Sequence, residues 1–369
     1  MTKLYVINAP CFVENHPCHT NGDVVTPLSD PMSEHFTYMY ANLADYGLVD
    51  EVVIFPREGK HDKFIKEFPA QILTKKGKTI SLNWNRKEKI SIINEDPEDG
   101  YVYAYHNLKE CKEIKNKFVI FNPKLNTLTH EDELDSRFHH YALIEGDYYK
   151  RTVTQGIPWS VCHLTSRAFT ESDHNSFSTK EKMYDWIMIS SFDPRKQHIP
   201  FLQSIIDSGL VRRTKGCIVG RDPNNKGKVT DHSRVYEQVR EFCNYSDNVD
   251  LILNGSLSER IDLLNRSKIF VCVSMYDFGP RAVVEAAQLG LPVLSMPLVG
   301  SADLINENKN GSLIDRVEMS STALEKMLIN YASGNYTPEN SAIERLLPEK
   351  EYPEIVEKIK WFKHEKSKH

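Results

Sequence analysis

The alternation of apolar and polar segments predicts a regular series of strands and helices in the second half of the chain. Short β-branched runs are separated by longer amphipathic segments, and each strand is followed by polar or glycine-containing residues. Strands that alternate with helices in this way form a parallel sheet covered by helices, which is an α/β fold. The predicted strands are 186–190, 216–220, 249–253 and 269–274, with a further strand starting at 292, and the predicted helices are 199–208, 233–245 and 258–267.

The first half of the chain follows the same alternation less regularly. A helix is predicted over 30–46, between strands at 4–8 and 52–55, and Gly47 is suited to end it. Residues 79–93 are predicted to form a β-hairpin, inserted between the βα units. Further strands are predicted at 101–106, 118–122, 141–144 and 159–164.

Chain length and a polar stretch together predict two domains. A chain of 369 residues exceeds the size at which a single core stops growing. The polar segment 167–182 is predicted to be a linker. We therefore expect Rossmann-like domains at 1–175 and 176–345, followed by a helix at 346–369 that packs back on the first domain.

Composition narrows the class of protein. The chain has 40% hydrophobic and 26% charged residues and a net charge of −5, which argues against a globally basic nucleic-acid binder. No apolar run approaches the roughly 18 residues of a membrane span, and the first strand is too short for a signal peptide. Seven cysteines without a C-x-x-C pair fit a reducing compartment, so we expect a cytoplasmic protein.

Metal ligation is not indicated by the histidines or the carboxylates. The 14 histidines form neither an H-E-x-x-H motif nor a Cys/His quartet, and no D-x-D motif is placed to bind a metal. We therefore expect no metal and no other cofactor.

The segment 271–294 combines a predicted strand, a glycine-containing loop and a helix. At such a turn the helix N-terminus offers free N–H groups to an anion, and ligands bind beyond the carboxyl ends of the strands. Asp277 in the loop and Glu285 in the helix stand eight positions apart. Both carboxylates can therefore point into the same crevice and accept hydrogen bonds from hydroxyl groups.

Five other segments of the second half accompany this motif. Together with the Asp277 and Glu285 motif they resemble, in order and spacing, the carboxyl-terminal domain of retaining nucleotide-sugar glycosyltransferases of the GT-B fold, the group 1 or family 4-like enzymes. The resemblance covers about residues 185–315, whereas the first half matches only in general layout. The family has two glutamates eight positions apart, and here Asp277 replaces the first. The segments are 190–196, 217–220, 254–259 and the late pair 300–305 and 310–314.

The resemblance implies a GT-B architecture, in which two Rossmann-like domains face a central cleft, and a nucleotide-diphosphate sugar as donor. Arg195 and Lys196 are expected to bind the diphosphate through charge-assisted hydrogen bonds. Glu285 is expected to accept hydrogen bonds from the ribose hydroxyls, and Asp277 is expected to accept them from the hydroxyls of the donor sugar. The other donor-binding candidates are Ser191, Gly220, Asn254, Gly255, Phe278, Gly279, Pro280 and Arg281.

The first half contributes one catalytic candidate. His106 follows a predicted strand and resembles the histidine with which the family faces the sugar across the cleft; a surface histidine at a strand end is the competing interpretation. The catalytic candidates are thus Asp277, His106, Lys196 and Arg195. Because no pair of carboxylates is assignable to a double displacement, we expect front-face substitution with retention of the anomeric configuration, which is the mechanism that the resemblance implies.

The acceptor stays open at this point. It is an acceptor sugar, a lipid-linked glycan or a modified DNA base, the last as in some viral GT-B enzymes. Lysine-rich segments and Trp84 in the first half favour DNA, but interleaved acidic residues favour an ordinary solvated face. The sequence is also compatible with a sugar-nucleotide epimerase of the same fold and with a non-catalytic nucleotide-sugar binder. The oligomeric state is left open.

Overall fold

Two compact units make up the chain. The first comprises Met1–Arg167 together with Pro348–His369, and the second comprises Ala168–Leu347. The computed structural model describes residues 1–9, 39–40, 42–56, 79–83, 87–105, 113–122, 141–144, 159–161, 180–223, 230–255, 257–277, 281–298, 304–305, 309–336 and 348–368.

A parallel sheet forms the centre of the first unit. Its strand order is β3-β2-β1-β4-β5-β6-β7. Alternate residues of the central strand β1 are buried on opposite faces, as expected for a sheet covered on both sides. The strands are β1 (Lys3–Ala9), β2 (Glu51–Pro56), β3 (Thr79–Leu82), β4 (Gly100–Tyr105), β5 (Phe118–Asn122), β6 (Tyr141–Ile144) and β7 (Trp159–Val161), and helix α1 spans Lys89–Glu95.

The hairpin predicted at 79–93 is wrong. Strand β3 pairs in parallel with β2, and α1 occupies the place of the second hairpin strand. Ser81 Oγ donates a hydrogen bond to Glu51 Oε1 at 2.6 Å, which ties the two strands together. Ile93 is buried against the sheet with Ile92 beside it. A few isoleucines at short spacing fit one helix face as well as a strand, and packing on the sheet decides between them.

A second parallel sheet forms the centre of the second unit. Its strand order is β10-β9-β8-β11-β12-β13, and apolar clusters cover both faces. The strands are β8 (Tyr184–Ile189), β9 (Gly216–Gly220), β10 (Val249–Leu253), β11 (Ser267–Cys272), β12 (Val293–Ser295) and β13 (Gly311–Leu313). The helices are α2 (His198–Asp207), α3 (Asp231–Tyr245), α4 (Leu257–Asn265), α5 (Arg281–Gln288) and α6 (Ser320–Ala332).

The strand order of the second sheet contains a reversal. The chain moves outward from β8 through β9 to β10 and then returns to the other side of β8 with β11. In doubly wound sheets the crevice beyond the carboxyl ends of the two strands at such a reversal is where ligands bind. The segments that follow β8 and β11 are therefore the first place to look for a site.

The C-terminal helix α7 (Pro348–Lys366) completes the core of the first unit. Tyr352, Ile355, Val356 and Ile359 are buried there, at the spacing of one helix face. Lys363 Nζ lies 2.6 Å from Asp99 Oδ1. No helix in the described part of the chain is long and apolar enough to cross a membrane.

Candidate active site

The loops that follow β8 and β11 are joined to each other. The backbone N–H of Met275 donates to the carbonyl of Arg195 at 2.7 Å. The side chain of Gln197 donates through Nε2 to the carbonyl of Val273 at 2.6 Å. Gln197 has a φ of 56°, in the left-handed region, and this turns the chain from a short 3₁₀ helix into α2. The two loops therefore form one connected surface at the strand reversal.

Lys196 and Asp277 form an ion pair across these loops. The Nζ of Lys196 donates to Oδ2 of Asp277, although the residues are 81 positions apart in the sequence. The side chains are only 12% and 13% exposed. The structure therefore brings together a cation and a carboxylate that the sequence placed in separate motifs, and holds them where water screens the charges less than at the open surface.

Arg195 is held by a carboxylate that the sequence analysis did not single out. Asp193 caps the 3₁₀ helix Pro194–Lys196, since its Oδ1 accepts from the backbone N–H of Arg195 at 3.0 Å. Its Oδ2 accepts from Nε of the same arginine at 3.0 Å. The guanidinium lies 5.5 Å from the ring centroid of Tyr276, within cation–π range. An aspartate before Pro-Arg is a capping signal that could have identified this contact.

Glu285 lies on α5, one helix turn after Arg281 begins it. Only 2% of its surface is exposed, and Val283, Val284 and Ala286 around it are buried. A carboxylate this deeply buried requires polar partners, because desolvation without them is costly. Glu285 is therefore not a solvated surface residue, while Arg281 is partly buried at the start of the same helix.

The ends of β9 and β10 extend the same edge of the sheet. A Cβ on Gly220 would lie 2.4 Å from the Phe192 ring, so only glycine allows this approach. Asn254 has a φ of 55°; its N–H donates to the Gly220 carbonyl at 2.8 Å, and its Oδ1 accepts from the N–H of Asp222 at 3.1 Å. Gly255 follows it, and Ser191 is exposed beside Phe192.

Comparison with known proteins finds a family match within the second unit. Residues 169–345 match the model of the family described as glycosyl transferases group 1. The search of curated proteins found no match.

Solved structures with the same fold span nearly the whole chain. A glycosyltransferase from Rickettsia africae has 13% identity and a TM-score of 0.65, with 98% of each chain covered. Anabaena HepE in complex with UDP and glucose has 12% identity and a TM-score of 0.61, with 98% of this chain and 99% of that chain covered. The lipopolysaccharide outer core galactosyltransferase WaaB has 15% identity and a TM-score of 0.60, with 98% and 100% covered. The predicted GT-B fold, with two Rossmann-like domains, is confirmed.

A buried histidine lies beneath the loop after β8 of the second unit. His198 is 1% exposed, and its Nε2 lies 2.9 Å from Ser190 Oγ. Burial lowers the pKa of His198 to about 3, and the positive charge of Lys196 acts in the same direction. The ring is therefore neutral at physiological pH. Its position was not predicted, because nothing in the local sequence distinguishes it from a surface histidine.

Four sequence-predicted site residues lie outside the described part of the chain. They are His106, Phe278, Gly279 and Pro280. Within the described ranges, no group of three or more histidine, cysteine, aspartate or glutamate side chains could hold a metal ion.

Proposed function

We propose that this protein transfers a sugar from a nucleotide-diphosphate sugar to an acceptor hydroxyl. The observation that carries the proposal is the Lys196 and Asp277 ion pair, which lies at the strand reversal of a group 1 glycosyltransferase domain. Where a diphosphate is joined to a sugar, a cation can bind the phosphate oxygens and a carboxylate can accept hydrogen bonds from the sugar hydroxyls.

The diphosphate is assigned to Lys196 and Arg195, with Arg281 as a third cation. A departing diphosphate carries two to three negative charges, and fixed cations that bind it stabilise the transition state. The start of α5 adds the partial positive charge of a helix N-terminus. Electrostatic stabilisation of the leaving group is thus the main catalytic contribution in this proposal.

Asp277 is assigned to the hydroxyls of the donor sugar. A lysine ammonium has three N–H donors, so Lys196 can keep Asp277 in place and still bind a phosphate oxygen. Asp277 has one methylene fewer than the glutamate it replaces. Its pairing with Lys196 supports a sugar position close to the diphosphate, because a carboxylate held in this way has little further reach.

The nucleoside is assigned to three elements. Glu285, buried on α5, is assigned to accept hydrogen bonds from the ribose hydroxyls, as the resemblance implies. Asn254 and Gly255 contact the base from the end of β10. Gly220 and Ser191 line the same edge.

The reaction is proposed as front-face substitution with retention. The bond between C1 of the sugar and the diphosphate oxygen breaks, and the acceptor oxygen bonds to C1 from the same face. The acceptor proton passes to the departing phosphate oxygen, so charge and atoms balance. His106 keeps the assignment to the donor sugar that the resemblance implies, and no step needs a metal or another cofactor.

The similar structures suggest which donors to test first. The Anabaena protein was solved with UDP and glucose, and WaaB is described as a galactosyltransferase. UDP-hexoses are therefore the first candidates, with acceptor sugars and lipid-linked glycans ahead of a modified DNA base.

A donor panel followed by product analysis tests the proposal. UDP-, GDP- and other nucleotide sugars should be ranked by thermal shift, because a bound donor stabilises the folded state. The stabilising donor is then incubated with acceptor mixtures, and the anomeric configuration of the product is read by NMR. Retained transfer supports the proposal, inversion contradicts front-face substitution, and free epimerised sugar indicates an epimerase. Binding without any turnover contradicts the enzyme claim.

A further inference from the structure

One carboxylate binds both the backbone and the side chain of Arg195. Asp193 Oδ1 accepts from the backbone N–H of Arg195 and Oδ2 accepts from its Nε, both at 3.0 Å. We propose that Asp193 is a positioning residue that aims the Arg195 guanidinium at the diphosphate. This inference rests on the proposed function and adds to it a residue that contacts no substrate itself.

The geometry leaves the Nη1 and Nη2 groups of Arg195 available to bind a ligand. A guanidinium has five N–H donors in a rigid fork, and Asp193 uses the one on Nε. Within the described part of the chain, the donors on Nη1 and Nη2 have no hydrogen-bond partner, while the face of the group lies over Tyr276. An arginine already held in its bound conformation loses less conformational freedom when a ligand arrives.

A second basic group steadies the same carboxylate. His232 Nε2, in the first turn of α3, lies 3.5 Å from Asp193 Oδ2. The oxygen that holds Nε of Arg195 is therefore contacted from two sides. Because Asp193 is 23% exposed and Arg195 29%, the contact is partly shielded from water, which strengthens it relative to an open surface pair.

The substitution Asp193→Asn separates positioning from capping. The amide keeps an oxygen for the backbone N–H of Arg195, but its NH₂ group cannot accept from Nε. Asp231→Asn is the matched control, since it makes the same charge change on a carboxylate that is 74% exposed and paired with Arg234. Unchanged melting temperatures would show that both variants fold.

Binding of inorganic pyrophosphate, measured by calorimetry, gives the first readout. We expect Asp193→Asn to weaken binding roughly tenfold, the range of one charge-assisted hydrogen bond, and Asp231→Asn to leave it unchanged. In an Arg195→Ala background, Asp193→Asn should have no further effect, because it acts through that arginine. An equal loss in both backgrounds would overturn the role of Asp193 as a positioning residue.

Arginine Nε–H NMR gives a second readout that needs no ligand. The signal of Arg195, assigned by its loss in Arg195→Lys, should exchange slowly with water in the wild type and rapidly in Asp193→Asn. No change on this substitution would overturn the inference. Failure of the wild type to bind pyrophosphate, UDP or GDP would instead contradict the proposed function, and the NMR result would still report whether Asp193 holds Arg195.

Discussion

Lys196 and Asp277 neutralise each other's charge at the candidate site. Each is mostly buried, so neither charge could stay there alone without a substantial desolvation penalty. Asp277, which stands where the resembled family has a glutamate, is therefore held in place by its pairing with Lys196. Under the proposed function a bound donor adds its own charges to this pair, and Lys196 contacts both Asp277 and the diphosphate.

Replacing Lys196 should impair catalysis and stability together. Under the proposed function, Lys196→Ala removes one hydrogen-bond donor to the leaving group, so we expect kcat/KM to fall about 100-fold. It also leaves Asp277 without that cation, at a cost of about 1–3 kcal/mol in unfolding free energy. Lys215→Ala is the control, because Lys215 pairs with Asp250 at the amino ends of the strands. Equal losses in both variants, measured by steady-state kinetics and urea unfolding, would contradict the assignment.

The elements that carry the site are positioned by short contacts between loops. Gln197 links the loop after β8 to the end of β11, and Gly220 allows Phe192 to pack against the end of β9. Both contacts depend on residues that look ordinary in a sequence. Their effects can be separated by substitutions that change little else.

Gln197→Ala should loosen the loop that carries Arg195 and Lys196. It removes the hydrogen bond to Val273, and we expect a loss of about 1–3 kcal/mol in unfolding free energy and a higher KM for the donor. Gln203→Ala is the control, since Gln203 bonds to Asp207 on an exposed helix face. Urea unfolding that finds the two variants equally stable would contradict the role of Gln197.

Gly220→Ala should force Phe192 out of its place. The added methyl would lie 2.4 Å from a ring that is 1% exposed, and overpacking of this kind costs about 1–3 kcal/mol. Gly255→Ala, where the nearest atom lies at 3.6 Å, should change stability much less. Thermal unfolding of the two variants tests this difference, and a Gly220→Ala protein as stable as Gly255→Ala would disprove it.

The sequence was informative about elements and less so about contacts. The predicted strands 216–220 and 249–253 coincide with β9 and β10, because the mainly apolar runs there end at Gly220 and before Asn254. The pattern at 79–93 was too short to separate helix from strand. The contact of Asp193 with Arg195 and the left-handed turn at Gln197 arise from loop backbone geometry, which periodicity does not encode.

At the scale of the whole molecule, the two units differ in whether they are formed from one continuous segment of the chain or from two. The second unit is continuous, whereas the first is built from Met1–Arg167 and the distant helix α7. Since Tyr352, Ile355, Val356 and Ile359 are at most 3% exposed, the helix is part of the core rather than an appendage. The stabilities of the two units can therefore be changed separately.

Removal of α7 should unfold the first unit and spare the second. Truncation after Leu347 removes four buried side chains, whose burial is worth together about 6–12 kcal/mol, and exposes the core residues that they cover. That is comparable to the whole stability of a typical domain, about 5–15 kcal/mol. Calorimetry should show the loss of one transition, with circular dichroism retaining the signal of the other unit. A truncated protein with both transitions intact would contradict this account.

Acid should destabilise the second unit first. The folded pKa of His198, about 3, lies below its usual value near 6.5, so the folded state binds fewer protons between these values. Stability therefore falls as pH drops from about 6.5 to 3, by up to about 1.4 kcal/mol per pH unit. His198→Asn removes the titrating group, so the unfolding free energy measured by urea unfolding should depend less on pH between about 6.5 and 3. An unchanged slope would contradict it.

The first unit should respond at lower pH. Burial raises the pKa of Asp96, but hydrogen bonds from Lys3 and Tyr5 outweigh burial and hold the pKa well below its usual value. The stability that this carboxylate contributes is fully present above about 3.9 and is lost as pH falls below it.

The split origin of the first unit also bears on how the protein forms during synthesis. About 180 residues separate Arg167 from Pro348, and ribosomes add roughly 5–20 residues per second, so α7 emerges some 10–40 s after β7. During that interval the part of the sheet face that α7 covers lacks this helix, although Met39, Leu43 and Leu48 belong to the same apolar cluster, while the second unit can fold as it emerges. Nascent chains of this protein therefore expose the apolar site of α7 on the first unit until the last helix has been made, and that site is where a chaperone would be needed.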